Sequence, residues 1–168
     1  MKRICVEEHW GNSELIEVRK KWMARNGFSP SVDPKATPTV FPRLMDIEEF
    51  RLPLMDEFGI TMQVLSISSP GIQGIDDADT AVTMAKKIND ALARTIDKHP
   101  SRFAGFASLP TQDPIAAAEE LERAVTQLHF KGAMIQGHTH GAYLDQPEYF
   151  ILWERAEALG VPLYLHVN

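Results

Sequence analysis

Cysteine is nearly absent from this 168-residue sequence. Cys5 is the only one, so an intrachain disulfide is excluded. A single thiol suits a reducing compartment, so the cytoplasm is the expected location. Long apolar runs are missing too, since none approaches the roughly 20 residues that span a bilayer. The apolar stretch at the N-terminus is short and acidic residues follow it, which does not fit a secretory signal.

Basic charge is also scarce. The 17 lysines and arginines face 23 aspartates and glutamates, giving a formal net charge of −6. This balance provides no electrostatic footprint for nucleic acid or for an anionic membrane, and we expect neither partner. Phosphate-binding glycine motifs, a Cys-x-x-Cys pair and a Gly-x-Ser-x-Gly nucleophile elbow do not occur. The 44% hydrophobic and 24% charged content is that of one ordinary globular domain.

Short apolar runs alternate with helical patterns along the chain. Each run is too short for a helix and predicts a buried strand. The five predicted strands cover residues 4–6, 62–67, 103–109, 133–135 and 161–167, and the predicted helices cover 14–25, 46–59, 77–98, 113–125 and 146–160. Alternation of β and α elements at this spacing predicts a parallel sheet with helices outside it.

Two helices carry further expectations. The pattern from Asp46 begins with an acidic cap and a glutamate three residues later, and it ends at Gly59. The last pattern begins at Gln146-Pro147, and its expected core-facing stripe is Phe150, Trp153, Ala156 and Leu159.

Residues 28–45 contain four prolines and predict an extended loop inserted after the first strand, a type of segment that is often a lid or part of a site. Five βα units are compatible with two α/β architectures. They can form an open, doubly wound sheet, or they can be the first five units of a TIM (β/α)₈ barrel, which needs about 250 residues.

Possible metal ligands stand at the ends of the first and last strands. Strand side chains alternate in direction, so Glu7 and His9 share a face and Glu8 points away from it. His166 ends the last strand, where α/β folds place their sites. A carboxylate and imidazoles suit a divalent metal. The alternative interpretation is a solvated acidic strand end and a core histidine bonded to backbone.

The fourth strand leads into a glycine-flanked turn that contains His138 and His140. The two histidines are either a second ligand pair, part of a plain turn, or part of a loop that contacts substrate. We favour the last interpretation, with His138 as the candidate for substrate binding, because residues in a turn need not share a face as strand residues do.

Several motifs occur together in one order. They are Val6-Glu7-Glu8-His9, Ser68-Ser69-Pro70-Gly71, Ile88-Asn89-Asp90, Arg102-Phe103-Ala104-Gly105-Phe106-Ala107, Phe130-Lys131-Gly132-Ala133 and Val161-Pro162-Leu163-Tyr164-Leu165-His166. With these motifs the sequence resembles the amidohydrolase-related (amidohydrolase 2) metal enzymes over nearly its whole length. It resembles in particular the aromatic acid decarboxylases, such as the γ-resorcylate, 2,3-dihydroxybenzoate and 5-carboxyvanillate decarboxylases.

The resemblance implies a TIM (β/α)₈ barrel of which residues 1–168 supply the N-terminal part, about the first five βα units. It implies one divalent metal ion, Zn²⁺ or Mn²⁺, held by Glu7, His9 and His166. The family's remaining aspartate ligand and its histidine acid/base are expected beyond residue 168. The His138-Thr139-His140-Gly141 loop resembles the 5-carboxyvanillate type, whereas Glu7-x-His9 resembles the resorcylate type.

The implied activity is a redox-neutral decarboxylation of a small hydroxylated aromatic acid, in which an acid protonates the ring carbon and carbon dioxide leaves. The resemblance also implies a homo-oligomer, and an inactive chain when residues 1–168 are isolated. Two other functions stay open. One is a metal-dependent hydrolase of a lactone or amide, although such enzymes usually carry His-x-His on the first strand. The other is a non-catalytic half-barrel that only binds or associates.

Overall fold

A computed structural model describes residues 2–27 and 42–166. In this part of the chain the strands are β1 (Ile4–Trp10), β2 (Met62–Ile67), β3 (Phe103–Gly105), β4 (Ala107–Ser108), β5 (Ala133–Gln136) and β6 (Leu163–His166). The α-helices with both ends among the described residues are α1 (Ile16–Arg25), α2 (Arg51–Glu57), α3 (Ala78–Ile96), α4 (Pro114–Thr126) and α5 (Phe150–Leu159). Most of the predicted loop insertion lies outside the described residues, and its last part, 42–45, is helical rather than extended.

The strands are parallel and follow sequence order, as predicted, in two three-stranded sheets, β1-β2-β3 and β4-β5-β6. The single strand predicted over 103–109 is divided at Phe106. The Phe106 N–H donates to the Leu65 carbonyl of β2 at 2.9 Å, and the Ala107 N–H donates to the Gly132 carbonyl beside β5 at 2.9 Å. One extended segment therefore belongs to both sheets, its first half paired with β2 and its second half with β5.

The two faces of the strands have different surroundings. Leu65 and Ile67 of β2 belong to the large hydrophobic core that also contains the buried faces of α3 and α4. Val64, the residue before Leu65, belongs to a second and smaller cluster made of strand residues and of the residue that divides β3 from β4. Successive strand residues point to opposite faces. The helices therefore cover one face, and the other face carries Val64, Ala104, Phe106 and Met134, with Met62 and Tyr164 packed against them.

Helix ends follow the predicted signals at several places. The Asp77 carboxylate accepts a hydrogen bond from the Thr80 N–H at 2.9 Å and begins α3. Asp113 does the same for Ile115 and Ala116 at 3.0 Å, with Pro114 as the first residue of α4. These carboxylates satisfy N–H groups that have no partner inside the helix.

The prediction of one helix from Asp46 to Gly59 is wrong in its first turns. Asp46 Oδ1 does accept from the Phe50 N–H at 2.6 Å, but residues 48–50 form a turn and α2 begins only at Arg51. Pro53 explains the shift. A helix from Asp46 would place this proline in its interior, where the missing N–H and the ring clash are costly, whereas in α2 it lies in the first turn.

The predicted stripe of α5 is also wrong in part. Ala156 is buried as expected, but Phe150 is 54% exposed and Trp153 is 38% exposed, while Leu152 is fully buried. Residues 150–153 are all apolar, so their spacing alone cannot choose which face is buried. The packing against α4 selects the face with Leu152.

None of the helices in the described ranges is long and apolar enough to cross a membrane.

Candidate metal centre

The first strand presents its two acidic residues to opposite faces. Glu8 lies toward the helices, where its carboxylate is 3.8 Å from the Arg51 guanidinium of α2. Cys5 pairs with Gln63 and Glu8 with Leu65, so β1 holds one residue more than β2 between these pairs. Such a bulge re-aims the side chains beside it, and bulges of this kind are common next to active sites.

Glu7, His9 and His166 converge at the carboxyl ends of β1 and β6. Each residue offers one ligand atom to a group in which all the atoms lie within 4.8 Å of one another. Glu7 Oε1 is 3.4 Å from His166 Nε2, and the centroids of the two imidazole rings are 5.2 Å apart. The side chain of Glu7 is half-exposed, whereas that of His166 is 17% exposed.

Both histidines keep a buried ring nitrogen without a partner. Among residues 2–27 and 42–166, neither His9 Nδ1 nor His166 Nδ1 makes a hydrogen bond. Burial lowers the pKa of His9, and the neighbouring His166 lowers it further, while Glu7 opposes the shift. The neutral imidazole that this favours is the form with a free lone pair.

This donor set fits a divalent cation. A carboxylate oxygen and neutral imidazole nitrogens are ligands of Zn²⁺ and of other first-row metals, and the orphaned buried nitrogens are groups that need a partner. No other group of three or more such donors is found in the described part of the chain.

Tyr164 contacts this cluster, although the sequence did not single it out. Its hydroxyl donates to Glu7 Oε2, and this hydrogen bond raises the pKa of Tyr164. The Tyr164 ring stacks on Phe106 with the centroids 6.0 Å apart. A signal was available, since Tyr164 is two residues before His166 on one strand and therefore shares its face.

Arg51 is a second contact that the sequence did not reveal. Its guanidinium donates to the His9 carbonyl oxygen at 2.6 Å and to Gln63 Oε1 at 3.1 Å. The side chain is 10% exposed. Arg51 therefore holds the end of β1 at the position where His9 projects.

His138 lies outside the three-residue cluster but shares a cleft with one of its members. The cleft, of about 660 Å³, is lined by Gly137, His138, Tyr143, Leu144, Asp145, Phe150, Trp153, Leu165 and His166. The exposed His138 ring meets Tyr143 edge-on, and its Nδ1 accepts from the Gly141 N–H at 3.1 Å. His140 points elsewhere, with Nε2 3.8 Å from the Asp76 carboxylate.

Buried polar side chains hold the His138 loop in place. Thr139, which is 4% exposed, lies between the two exposed histidines. Gln73 Nε2 donates to its hydroxyl at 3.0 Å, and the Thr111 hydroxyl lies 2.6 Å away. Loops that follow three different strands are thus joined beneath His138.

A parallel α/β fold with a carboxylate and two imidazoles clustered at the strand ends defines a class of candidate metal-dependent enzymes. The profile of the Amidohydrolase family matches residues 21–167, and the chain belongs to that family. The resemblance predicted from the sequence is confirmed.

Similar proteins include several decarboxylases. The chain is 46% identical over 173 residues to "Gamma-resorcylate decarboxylase" of Rhodococcus jostii, covering 98% of this chain and 50% of that protein. A crystal structure of a dihydroxybenzoic acid decarboxylase from Polaromonas sp. JS666, with bound manganese and the inhibitor 2-nitroresorcinol, is 41% identical with a TM-score of 0.86 and covers 99% of this chain and 49% of that one. A 5-carboxyvanillate decarboxylase from Novosphingobium aromaticivorans, also with manganese, is 35% identical with a TM-score of 0.88 and covers 98% and 50%. The chain spans about half the length of the curated relatives it matches.

Proposed function

We propose that this chain provides the metal-binding half of a non-oxidative decarboxylase for a hydroxylated aromatic acid, with 2,6-dihydroxybenzoate (γ-resorcylate) as the first substrate to test. The observation that carries the proposal is the cluster of Glu7, His9 and His166 within 4.8 Å. It occurs in a chain that is 46% identical to a γ-resorcylate decarboxylase.

One divalent ion, Mn²⁺ or Zn²⁺, is proposed as the cofactor. Glu7, His9 and His166 would hold it, and when bound it would supply Lewis acidity toward the carboxylate and the adjacent hydroxyl of the substrate. The Glu7 carboxylate supplies negative charge to the site, and the two imidazoles would fix the position of the ion between the strand ends. The manganese in the Polaromonas and Novosphingobium structures supports this assignment.

The strand face beside the cluster suits an aromatic ring. Val64, Phe106 and Met134 are buried there, and the partly exposed ring of Tyr164 packs on them. Apolar walls with a few placed polar groups are the usual composition of a small-molecule site. Binding against the Tyr164 ring would exclude water from one side of the substrate.

His138 is proposed to contact the substrate, because it lies in the same cleft as His166. We expect His138→Ala to raise KM more than it lowers kcat, since it would remove a binding contact without touching the cluster. His140→Ala is the control, because its imidazole faces Asp76 instead. Equal effects of the two variants on KM would contradict the assignment.

The architecture proposed for the whole protein is a TIM (β/α)₈ barrel, to which residues 1–168 contribute about five βα units. The parallel strands in sequence order, with helices on one face, support it. Within the described ranges β1 and β6 each pair with one strand only, so each has a free edge where a barrel would continue.

Association into a homo-oligomer is also proposed. Phe50, Leu54 and Phe58 follow one another along one side of α2 and its flanks and are 46%, 47% and 58% exposed. An apolar strip of this kind is typical of an interaction surface. Light scattering of the full-length protein should give at least a dimer, and a monodisperse monomer would contradict the proposal.

The decisive experiment measures carbon dioxide release from 2,6-dihydroxybenzoate by the full-length protein, after metal removal and after addition of Mn²⁺ or Zn²⁺. We expect activity only with metal, and its loss in Glu7→Gln and in His166→Ala. His99→Ala is a matched control, since that histidine pairs with Glu48 outside the cluster.

Two results would overturn the proposal. Full turnover by Glu7→Gln and His166→Ala would show that the cluster is not needed for the reaction. Hydrolysis of a lactone or amide, without decarboxylation of any ortho-hydroxybenzoate, would assign the site to a hydrolase.

A further inference from the structure

We infer that Tyr164 is a positioning residue. Its hydroxyl holds one carboxylate oxygen of Glu7 in a hydrogen bond, so that only the other oxygen is available to the cation. This inference rests on the proposed metal site. Its first support is the contact pattern of the two carboxylate oxygens, because Oε2 accepts from the Tyr164 hydroxyl and Oε1 faces His166 Nε2 at 3.4 Å.

The Tyr164 ring is held in place from behind. It stacks on Phe106 at 6.0 Å between centroids, with an angle of 30° between the rings. Phe106 is 6% exposed, and its own N–H is bonded to the Leu65 carbonyl, so its position follows from the sheet. The hydroxyl is therefore fixed relative to β2, whereas a glutamate carboxylate on its own rotates freely.

Glu7 needs such an orienting contact. Its side chain is half-exposed, and it lies within the irregular step between Cys5 and Glu8 in β1. Without a partner, its carboxylate would sample several rotamers and would lose conformational entropy when it binds a cation. A fixed phenol hydroxyl orders the carboxylate in advance and favours one-oxygen coordination, in the way that outer contacts tune other metal ligands.

The experiment compares Tyr164→Phe with the unchanged full-length protein, using Mn²⁺ alone as the probe. Mn²⁺ affinity is measured by calorimetry, and the geometry of the bound ion is followed by its electron paramagnetic resonance spectrum. We expect binding about 10- to 100-fold weaker, together with a changed spectrum. The melting temperature of the metal-free protein should change little, because only one hydroxyl is removed.

Tyr143→Phe is the matched control for metal affinity. It removes the same hydroxyl from a ring that is 58% exposed and that lies outside the cluster. We expect its Mn²⁺ affinity to equal that of the unchanged protein. If the protein without substitutions binds Mn²⁺ and Tyr164→Phe binds it equally tightly, the inference is overturned and the proposed function stays intact. Failure of the unchanged protein to bind Mn²⁺ or Zn²⁺ would overturn both.

A double-mutant cycle separates positioning from a general structural role. If Tyr164 acts through Glu7, then Tyr164→Phe weakens Mn²⁺ binding in the normal background and has no further effect in Glu7→Ala, which removes the carboxylate. Equal losses in both backgrounds would overturn the inference.

If Tyr164→Phe does not fold, Phe106→Leu is the second variant, because it keeps the hydroxyl but removes its aromatic support. Affinity must then fall, and an unchanged value contradicts the inference.

Discussion

Both polar atoms of the Asn89 side chain are bonded to the main chain of Ser108. Asn89 Oδ1 accepts from the Ser108 N–H at 2.9 Å, and its Nδ2 donates to the Ser108 carbonyl at 3.0 Å. Nδ2 also donates to Glu120 Oε1 at 2.7 Å, and Glu120 is in turn bonded to Arg123. Asn89 and Glu120 are almost completely buried. This network fixes the end of β4 to α3 and α4.

We therefore expect Asn89→Leu to lower the free energy of unfolding by roughly 2–4 kcal/mol, because it leaves buried main-chain and carboxylate groups without their partner. Chemical denaturation provides the measurement. Asn26→Leu is the control, since Asn26 is exposed at the end of α1 and its loss should cost less than about 1 kcal/mol. Equal losses would show that the network contributes nothing specific.

Arg51→Met should reduce both stability and metal affinity. It removes charged hydrogen bonds to the His9 carbonyl and to Gln63, each worth roughly 1.5–3 kcal/mol, and it frees the end of β1. Denaturation and Mn²⁺ titration measure the two effects. Lys20→Met breaks an exposed ion pair with Glu17 and should change neither by a measurable amount.

Gly132→Ala should be strongly destabilising. A Cβ at this position would lie 2.2 Å from the Pro162 carbonyl oxygen, and the φ of +141° is one that other residues rarely adopt. Backbone strain and overpacking each cost about 1–3 kcal/mol. Gly27→Ala is the control, since Gly27 has a φ of +68° but a Cβ there would meet no atom of the described residues within 4 Å beyond its chain neighbours. In thermal unfolding, the melting temperature of Gly132→Ala should be well below that of Gly27→Ala.

Metal binding should appear as stabilisation of the folded protein. A ligand present at 100 times its Kd adds about 2.7 kcal/mol to the free energy of unfolding. We expect this gain with Mn²⁺ or Zn²⁺ in the unchanged protein and its loss in His166→Ala. An equal rise in melting temperature for both proteins would place the bound ion elsewhere.

Residues 1–168 in isolation should not release carbon dioxide from 2,6-dihydroxybenzoate. Among the described residues the cluster supplies three ligand atoms, and His138, the histidine that shares a cleft with His166, belongs to a loop outside it. A proton donor must be held close to the reacting carbon. Turnover by these residues alone would show that a donor is present within them.

The candidate ligands were accessible from the sequence because two simple rules apply to them. Alternation places Glu7 and His9 on one face of a strand, and parallel strands bring their carboxyl ends to one edge. Arg51 was not accessible, because it contacts a main-chain carbonyl 42 residues away. The bulge in β1 was hidden as well, since it depends on the register with β2 and not on the residues of β1 alone.

In the fold, too, local signals could be predicted from the sequence, whereas features that depend on distant contacts could not. Caps such as Asp77 and Asp113 are local signals, and they mark the helix starts correctly. The buried face of α5 and the late start of α2 depend on which neighbours pack there and on where Pro53 can be tolerated. Local patterns therefore predict that an element exists more reliably than they predict its orientation.

The hydrogen bond between Glu7 and Tyr164 joins residues 157 positions apart. During synthesis, Glu7 and His9 leave the ribosome long before the strand that carries His166 exists. At roughly 5–20 residues per second, that interval lasts on the order of ten seconds. Throughout that interval the nascent chain carries only two of the three proposed ligands, so the proposed site is complete only once β6 has joined the sheet.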